Sequence, residues 1–381
     1  MTRKIVLATN AAWNIANFRG GLIRGLQADG WEVVAMAPRD DHVPRVEALG
    51  CRFVELPMHG SGTNPREDMR LYRRFKVALA AERPAAFLGF TIKPNVWGSL
   101  AAQRLGIPVI NNIAGLGTAF IRTNWLTGIA RILYRWGLRR SHTVLFQNED
   151  DRRYFVDSGL VDRARSARVP GSGVDLEKFS PAPMPVRAPG EPLRLLFIGR
   201  LLRDKGLVEL AQAARLLKAQ GIQIDIDLLG FLEADNHSAI GRAELDRWQA
   251  EGLLRFVGST DDVRPYIVAA DAVILPSYRE GVPRTLLEAA AMGRPLIASD
   301  AVGCRDAVDE GINGFIARTR DATDLALQIA RFAALDTHAR QAMGRAGRAK
   351  VEREFDERLV VDTYRGLLRA IAARGPAGGP A

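Results

Sequence analysis

The sequence of 381 residues is 47% apolar and 25% charged, and it carries a net charge of +10 at pH 7. This length predicts two domains of about 150 to 200 residues each. Apolar side chains are plentiful enough to form a core, which excludes a disordered chain. The overall composition is that of an ordinary globular protein and excludes collagen-like and disulfide-stapled chains. No apolar run approaches the roughly 18 residues of a membrane-spanning helix, and residues 1–10 hold too short an apolar stretch for a signal peptide.

The first half of the chain alternates short apolar segments with segments of helical periodicity, which is the pattern of a parallel α/β sheet. The six predicted strands are Lys4–Thr9, Trp31–Ala37, Arg52–Leu56, Ala85–Phe90, Ile107–Asn112 and Thr143–Gln147. The predicted helices between them include Phe18–Ala28, Glu67–Glu82, Asn95–Leu105 and Trp125–Arg139. Strands that are apolar almost throughout predict helices on both faces of the sheet.

A change of composition separates the two halves of the chain. The segment 180–192 holds five prolines and almost no periodic apolar pattern, which predicts an extended linker. A second alternating series follows it, and the pattern is helical from Thr323 onward. The strands predicted in this series are Leu193–Ile198, Gln223–Leu229, Leu254–Val257, Ala272–Leu275, Pro295–Ala298 and Gly314–Ala317.

We therefore expect an α/β fold of two doubly wound, Rossmann-like parallel-sheet domains that face a cleft. The first domain is predicted over 1–170, with the C-terminal helix 355–373 packing back onto it. A hinge is predicted over 171–192, the second domain over 193–354, and a disordered Gly/Pro-rich tail over 375–381. Because ligands bind outside the carboxyl ends of the strands in such sheets, the loops after the strands are expected to carry the functional residues.

The first such loop follows the strand predicted over 193–198 and reads GRLLRDKG from Gly199 to Gly206. Arg200 and Lys205 lie on a turn that leads into a helix. Two cations and the N–H groups of a helix start would then point at one place, which suits a diphosphate. Basic residues beside helix starts are also common on protein surfaces, and the glycine spacing is neither that of a Rossmann fingerprint nor that of a Walker A loop.

The second loop follows the strand predicted over 272–275 and contains Glu280 and Gly281, after which Pro283 is well placed to open a helix. Glu288 lies about one and a half turns into that helix. A carboxylate there can accept hydrogen bonds from vicinal hydroxyls such as those of a ribose. Taken alone, the two glutamates are equally well interpreted as a helix-dipole partner and a surface acid.

Together the two loops resemble the retaining family-4 glycosyltransferases of the GT-B fold. The second domain of that family carries G-R-x-x-x-x-K-G and, later, E-G-x-P-x-x-x-x-E-A, and both motifs are present in full from Gly199 and Glu280. In the first domain, residues 91–102 and 111–120 are similar to the subgroup that builds capsules, O-antigens and other lipid-linked surface glycans. Residues 169–179 are similar to the interdomain motif of the family, so the resemblance extends over nearly the whole chain.

The resemblance implies that the second domain binds a nucleotide-sugar donor. Arg200 and Lys205 would neutralise the donor diphosphate and support catalysis in place of a metal ion. Glu280 would lie beside the donor sugar as a further catalytic residue, and Glu288 would hold the ribose hydroxyls. The other implied donor contacts are Gly199, Gly281, Val282 and Arg305.

Three arginines near these loops also have simpler interpretations. Arg305 follows the next predicted strand and can reach the donor, although a structural salt bridge is equally compatible with its position. Arg284 and Arg294 are interpreted as solvated charges at helix ends.

The acceptor side of the resemblance contains one departure. Many family members have a histidine after the fifth strand of the first domain, whereas residues 111–117 read NNIAGLG here. We therefore expect no catalytic histidine, with acceptor activation by the donor's own phosphate oxygen, as the same-face retaining mechanism implies. Backbone groups of Gly115 and Gly117 are predicted to contact the acceptor, and Arg19 and Lys93 are predicted to bind its diphosphate.

All of the excess positive charge lies in the first half of the chain. Residues 1–170 hold 25 Lys and Arg against 14 Asp and Glu, whereas the remainder holds 28 against 29. This asymmetry indicates either arginines on solvated faces or a surface for an anionic partner.

The segment 125–140 has the composition of a helix lying in an anionic membrane interface. The alternative is a helix that packs its apolar stripe on the sheet and leaves its arginines in water. The residues concerned are Trp125, Ile129, Leu133 and Trp136 with Arg131, Arg135, Arg139 and Arg140. A second basic patch comprises Arg70, Arg73, Arg74 and Lys76.

The resemblance implies a retaining hexosyltransferase with no cofactor and no metal requirement. It is expected to move a sugar, favoured to be an N-acetylhexosamine such as GalNAc, from a UDP-sugar to a polyprenyl-diphosphate-linked saccharide in bacterial surface-glycan assembly. We expect it in the cytoplasm, peripheral on the inner face of the cell membrane. Cys51 and Cys304, far apart in the sequence, favour a reducing compartment and neither a disulfide framework nor a zinc site.

Three other functions are compatible with parts of this pattern. A GDP-mannose-dependent mannosyltransferase would share the fold and both motifs. A GT-B-shaped protein of other chemistry, such as a sugar-nucleotide epimerase or a catalytically silent subunit, would share the fold. A basic nucleic-acid-binding protein would explain the charge, but no helix-turn-helix, RNP or zinc-finger signature is present, and we expect no nucleic-acid partner.

Overall fold

The computed structural model describes residues 3–59, 64–115, 125–188, 190–232 and 238–373. The chain divides into two compact units. The first contains the described residues up to Gly173 together with those from Glu357 onward, and the second runs from Val174 to Asp356. The predicted tail over 375–381 lies outside the described residues.

Each unit is built on its own sheet of parallel strands. The strands of the first unit are β1 (Lys4–Ala8), β2 (Glu32–Ala37), β3 (Arg52–Glu55), β4 (Ala86–Gly89), β5 (Val109–Ile113), β6 (Thr143–Phe146) and β7 (Ser166–Arg168). Those of the second unit are β8 (Leu193–Ile198), β9 (Ile224–Leu229), β10 (Arg255–Phe256), β11 (Ala272–Leu275), β12 (Leu296–Ser299) and β13 (Gly314–Ala317). The spatial orders are β3-β2-β1-β4-β5-β6-β7 and β10-β9-β8-β11-β12-β13. The predicted α/β fold of two doubly wound parallel sheets is thus confirmed.

Helices follow most of the strands. Those before the second unit are α1 (Ala12–Phe18), α2 (Gly20–Ala28), α3 (Val43–Glu47), α4 (Pro65–Glu82), α5 (Ser99–Arg104), α6 (Trp125–Leu138) and α7 (Glu149–Asp157). The second unit contains α8 (Leu207–Ala219), α9 (Arg242–Ala250), α10 (Arg264–Ala269), α11 (Arg284–Ala291), α12 (Ala322–Ala333) and α13 (Thr337–Glu354), and α14 (Glu357–Ala373) ends the described chain. A π-helical turn at Pro94–Gly98 leads into α5.

The sheet of the first unit is covered on both faces, because its strands are apolar almost throughout. On one face, residues of α1, α2, α3 and α14 share a hydrophobic cluster with side chains of the strands. On the other face, α5 packs against the sheet through Ala101 and Ala102, and α4 packs through residues such as Phe75, whose ring makes an edge contact with Phe87 of β4. The cluster beneath α6 and α7 continues this second layer.

Helix α14 packs beside α2 on the first of these faces. Its buried side chains recur at helical spacing and comprise Val360, Val361, Tyr364, Leu368 and Ile371. The two helices approach so closely that a β-carbon on Gly25 would lie 2.4 Å from a methyl carbon of Val361. At the rim of this contact the guanidinium of Arg365 donates to the carboxylate of Asp29 over 2.6 Å.

The proline-rich segment before β8 lies within the range predicted as a hinge, 171–192. The boundary between the units falls at Gly173, and the residues that follow pack on the second unit. Ala182 N–H donates to the carbonyl of Met292, and Arg187 forms a 3.0 Å ion pair with Asp271. Backbone and side-chain hydrogen bonds therefore fasten this segment to the second unit, although its described residues form neither helix nor strand.

Arg294 fastens the same segment, so its interpretation as a solvated helix-end charge is wrong. The side chain is fully buried, and its guanidinium donates to backbone carbonyls at 2.7–3.0 Å. Those acceptors are Ala182, Pro183, Ile267 and Val268. Burial lowers the pKa of Arg294 to about 10, partly opposed by the carboxylate of Asp271. The residue precedes β12 in the interior of the sheet, so its side chain turns inward onto these carbonyls.

Element boundaries differ from the predictions in a few places. The short edge strand β7 is not among the predicted strands, because three residues are too few for a recognisable alternation. The segment predicted as one helix over 18–28 belongs to two helices, α1 and α2, which meet at Arg19.

Candidate functional site

The two motif-bearing loops lie at the same edge of the second sheet. One follows β8 and the other follows β11, and these strands are neighbours at the point where the strand order reverses. Ligands bind at this kind of switch point in open parallel sheets. The fold therefore brings the two loops to the edge where a ligand is expected.

Lys205 and Glu280, which are far apart in the sequence, form an ion pair between these loops. Their side chains are only 18% and 16% exposed. The hydroxyl of Ser277 also donates to Oε1 of Glu280 over 2.6 Å, so the carboxylate is held from two sides. This arrangement places a positive and a negative group side by side, where a ligand that carries a diphosphate and hydroxyl groups can meet both.

Gly206 allows the two loops to meet. It has a φ of +75°, which glycine adopts without steric cost. A β-carbon at this position would lie 2.1 Å from the carbonyl oxygen of Pro276, in the second loop. The contact is between backbones, so a side chain at 206 would push the loops apart.

We expect Gly206→Ala to destabilise the protein by about 1–3 kcal/mol more than Gly221→Ala. Both glycines have a φ near +75°, so both substitutions carry the left-handed strain of about 1–2 kcal/mol, but nothing lies within 4 Å of a β-carbon on Gly221. Urea unfolding of the two variants measures the difference. Equal losses would show that the loops do not depend on this contact.

Glu288 lies in α11 and is buried against an arginine. Its Oε1 is 2.8 Å from Nε of Arg284, one helical turn earlier, and the two side chains are 11% and 18% exposed. Burial raises the pKa of Glu288, and the positive charges of Arg284 and Lys178 partly oppose the rise. The interpretation of Arg284 as a solvated charge is therefore wrong, because it lies on the same helix face as Glu288.

The other predicted donor contacts surround this centre. Gly199 and Arg200 follow β8 directly, and the side chain of Arg200 is exposed. Gly281 and Val282 are half-buried between Glu280 and the start of α11. Arg305 forms a 3.0 Å ion pair with Asp300, which is the salt bridge left open as the alternative for this residue.

Two contributors to the site were not among the predicted residues. Ser277 is fully buried beneath the second loop, and only its three-residue spacing from Glu280 offered a signal. Tyr278 donates its hydroxyl to Oε1 of Glu209 over 2.7 Å and lies under the guanidinium of Arg320, 4.4 Å from the ring centre. Nothing in the local sequence predicts the contact between Tyr278 and Glu209, since Glu209 lies in α8, 69 residues earlier in the chain.

The predicted acceptor residues occupy the corresponding edge of the first sheet. Arg19 and Lys93 follow the neighbouring strands β1 and β4, where the strand order of that sheet reverses. Arg19 is only 4% exposed, and its guanidinium lies 4.1 Å from the ring centre of Phe90. Lys93 forms a 3.2 Å ion pair with Asp68.

The remaining acceptor predictions concern the loop after β5. Gly115 has a φ of +113°, and Gly117 lies outside the described residues. The two asparagines at the end of β5 face the interior of the unit. The side-chain amide of Asn111 donates to Ser99 over 2.8 Å, and that of Asn112 donates to the hydroxyl of Tyr364 over 3.1 Å.

Helix α6 buries some of its apolar side chains and exposes others. Tyr134 and Leu138 are buried against the sheet, whereas Ile132 and Trp136 are 53% and 60% exposed. Of the residues named in the prediction, Ile129 and Leu133 are half-buried and Trp136 is exposed, and the side chain of Trp125 lies outside the described atoms. The four arginines Arg131, Arg135, Arg139 and Arg140 are all exposed.

Neither a membrane-spanning helix nor a metal-binding cluster is present in the part of the chain that the structure describes. None of its helices is long and apolar enough to cross a bilayer. None of its His, Cys, Asp and Glu side chains gather in groups of three that could hold a metal ion. Cys51 and Cys304 are buried free thiols.

Comparison with known proteins identifies the family to which this fold and these loops belong. Residues 192–334 match the family described as glycosyl transferases group 1, and residues 15–171 match the glycosyl transferase 4-like domain. The putative glycosyltransferase EpsF of Bacillus subtilis is 30% identical over 285 residues, which are 71% of this chain and 70% of that protein.

A protein of Campylobacter jejuni is similar over almost its full length. It is named N,N'-diacetylbacillosaminyl-diphospho-undecaprenol alpha-1,3-N-acetylgalactosaminyltransferase, and it is 24% identical over 379 residues, covering 95% of this chain and 97% of its own. The crystal structure of Anabaena HepE in complex with UDP and glucose matches with a TM-score of 0.78 at 18% identity, covering 96% of this chain and 99% of that one. The chain belongs to the family-4 type of glycosyltransferases that build bacterial surface polysaccharides and have the GT-B fold.

Proposed function

We propose that this glycosyltransferase moves an N-acetylhexosamine such as GalNAc, with retention of configuration, from a UDP-sugar to a polyprenyl-diphosphate-linked saccharide. The observation that carries the proposal is the ion pair between Lys205 and Glu280, with Glu288 in the adjoining helix, at the switch point of the second sheet. The name of the Campylobacter jejuni relative supports both the GalNAc donor and the diphospho-undecaprenol acceptor. The UDP bound to Anabaena HepE supports the choice of nucleotide.

In this proposal the second unit binds the donor. Arg200 and Lys205 neutralise the diphosphate as negative charge develops on the leaving group. Glu280, held by Ser277, contacts the hydroxyls of the donor sugar or its developing positive charge. Glu288 accepts hydrogen bonds from the two ribose hydroxyls, while Gly281 and Val282 supply backbone N–H groups.

The two cations take the place of a metal ion, and no cofactor is required. Since no side-chain base is assigned near the acceptor, the acceptor hydroxyl passes its proton to a phosphate oxygen of the departing UDP. The new glycosidic bond then forms on the face that the nucleotide leaves, which retains the configuration. Full activity in the presence of EDTA, and an α-linked product from an α-linked donor by NMR, are the results expected.

The decisive experiment is a thermal-shift screen over UDP- and GDP-sugars, because a ligand at 100 times its Kd stabilises the folded state by about 2.7 kcal/mol. We expect UDP-GalNAc or UDP-GlcNAc to raise the Tm and Glu288→Ala to abolish the rise. A rise with GDP-mannose alone would favour the mannosyltransferase. A rise in Tm without transfer to any lipid-linked acceptor would favour an epimerase or a catalytically silent subunit. An assay for interconversion of the bound sugar distinguishes these two.

We further propose that the first unit binds the lipid-linked acceptor at an anionic membrane surface on the cytoplasmic side. Arg19 and Lys93, at the switch point of that sheet, are assigned to the acceptor diphosphate. The backbone groups of Gly115 and Gly117 remain predicted acceptor contacts. Lys93 then exchanges Asp68 for phosphate when the acceptor binds.

The basic surface of the first unit supports the membrane proposal. Helices α4 and α6 pack on the same sheet face, on either side of the segment formed by the π-helical turn and α5. The 2.7 Å hydrogen bond from Gln103 of α5 to the carbonyl of Gly137 fixes α6 in this position. The exposed face of α6 combines Ile132 and Trp136 with arginines, and α4 adds Arg70, Arg73, Arg74 and Lys76.

We expect the protein to sediment with vesicles of phosphatidylglycerol and phosphatidylcholine in equal parts, and to be released as salt approaches about 0.5 M, where charges are screened within a few ångströms. Replacing Arg131, Arg135 and Arg139 with glutamine should weaken binding by at least tenfold, because each arginine near the surface contributes about 1 kcal/mol. The double change Ile132→Ser/Trp136→Ser should also weaken binding at low salt, because it removes the exposed apolar side chains of the same face.

Matched controls come from the second unit. Arg242, Arg318 and Arg353 have exposed side chains, and Ile312 and Leu327 are 62% and 55% exposed. Changing these residues to glutamine or serine should leave vesicle binding unaltered. Equal losses in the two sets would mean that total charge, and not this face, attracts the protein to the membrane.

A further inference from the structure

The pair formed by Arg284 and Glu288 is built into the first two turns of α11. The helix begins after Pro283, so the arginine occupies its first residue and the glutamate follows four residues later, on the same face. The guanidinium Nε approaches the carboxylate to 2.8 Å, and both side chains are largely removed from water. The arrangement differs from the exposed i,i+4 pair of Arg242 and Asp246, whose side chains are 68% and 52% exposed.

Burial creates an electrostatic problem for Glu288, because it disfavours the charged form of a carboxyl group. Two positive groups oppose this effect. Arg284 does so from the same helix through its positive charge, with Nε 2.8 Å from the carboxylate, and Lys178 does so by charge from the segment that follows the boundary between the units. Lys178 also acts on Asp262, which has its own hydrogen-bonded partner in Arg264. Arg284 is thus the cation in direct contact with Glu288.

Ribose recognition requires the charged form of Glu288. A carboxylate accepts hydrogen bonds on both oxygens, whereas a protonated carboxyl group gives up part of that capacity to its own O–H. A carboxylate that is also held by an arginine keeps one orientation. The group that maintains the charge and direction of Glu288 therefore contributes to donor affinity without touching the donor.

We propose that Arg284 is a positioning residue, which holds the Glu288 carboxylate charged and oriented for the ribose hydroxyls of the nucleotide-sugar donor. This inference rests on the assignment of Glu288 to the donor ribose in the proposed function. It gives a role to a residue whose position in the sequence, at a helix start beside a proline, indicates only a solvated charge.

The test is the pH dependence of UDP binding to the full chain, measured by calorimetry from pH 6 to pH 9. In the Arg284→Gln variant the carboxyl group loses its contacting cation, so its pKa rises and binding requires a higher pH. One pH unit of displacement corresponds to a tenfold change in Kd on the acid side. We expect Arg284→Gln to weaken UDP about tenfold at pH 6.5 and to recover most of the loss at pH 9, with Arg284→Lys close to the unmodified protein.

Two further variants separate this role from a structural one. In the Glu288→Gln background, Arg284→Gln should cause no additional change in the pH profile, because no carboxyl group remains to titrate. Arg242→Gln, at the exposed pair of the same spacing, should leave the profile unchanged. The melting temperature of each variant, measured alongside, reports any loss of folding. If Arg284→Gln does not fold, the pH profiles of Arg284→Met, which lacks the charge, and Arg284→Lys, which keeps it, provide the same comparison.

The outcomes distinguish the inference from the proposed function. If the unmodified protein binds neither UDP nor GDP, the proposed function fails. If it binds UDP and Glu288→Ala does not, but Arg284→Gln binds with the unmodified pH profile, the inference about Arg284 is wrong and the proposed function stands. A uniform loss of affinity at every pH would likewise overturn it, since that result indicates a direct contact with the donor.

Discussion

Replacing Lys205 with methionine is expected to reduce the rate of sugar transfer by about 10²- to 10³-fold, the effect of removing one group that stabilises developing charge in a transition state. In the structure Lys205 contacts Glu280, and in the proposed reaction it turns to the diphosphate. Steady-state kinetics with a UDP-sugar should show the loss mainly in kcat, because the charge on the diphosphate grows as the sugar departs.

The fold should survive this substitution. The hydroxyl of Ser277 still donates to Glu280, so the carboxylate keeps a hydrogen-bond partner when the cation is removed. Arg203→Gln provides a matched control, since it removes a cation from the same turn that pairs instead with Glu244. If Arg203→Gln lowers kcat as much as Lys205→Met does, the loss reflects the charge of the turn and the role assigned to Lys205 is wrong.

The largest loss of stability is expected for Arg294→Met, at about 4 kcal/mol, within the range measured when one partner of a buried charged interaction is removed. Methionine fills much of the space but donates no hydrogen bond, so the carbonyls of Ala182, Pro183, Ile267 and Val268 each lose the donor that Arg294 supplies. A buried acceptor without a partner costs about 1–3 kcal/mol. The midpoint of urea unfolding, followed by circular dichroism, should fall accordingly.

Two substitutions define the origin of that loss. Arg294→Lys keeps the charge and up to three donors, and it should recover part of the stability. Arg318→Met removes an arginine whose side chain is 73% exposed, and it should change the midpoint little. A loss of less than about 1 kcal/mol for Arg294→Met would mean that water replaces the guanidinium at these carbonyls.

Much of the fold is visible in the alternation of apolar and amphipathic segments. The strands β8 to β13 all fall within or beside segments predicted from that pattern, because buried parallel strands are continuous apolar runs. The donor loops are visible for a related reason, since both follow such strands and carry charged residues where a helix begins. The short strand β7 lies below the length at which alternation can be recognised.

The partners of the charged side chains could not be predicted in this way. Arg284, Arg294 and Lys93 all look like solvated or ligand-facing cations in the sequence. In the folded units the first contacts Glu288, the second contacts backbone carbonyls, and the third contacts Asp68. Arg294 and Lys93 meet oxygens of segments up to about a hundred residues away, so local spacing carries no information about these contacts. Arg284 has the i,i+4 spacing of a helix face to Glu288, but its spacing does not show that the pair is buried.

The same distinction applies to the basic helix of the first unit. Its composition predicts an amphipathic helix with arginines, and the spacing of its apolar residues is enough to predict that α6 is a helix. Which apolar side chains remain exposed was decided by packing, because Tyr134 and Leu138 fill the space above β5 and β6 and leave Ile132 and Trp136 outside. Periodicity establishes the elements and the order in which they follow one another. Packing between elements that are distant in the chain decides which face is buried, which charge is paired and which residues meet at the site, since those contacts form only when the sheet brings the segments together.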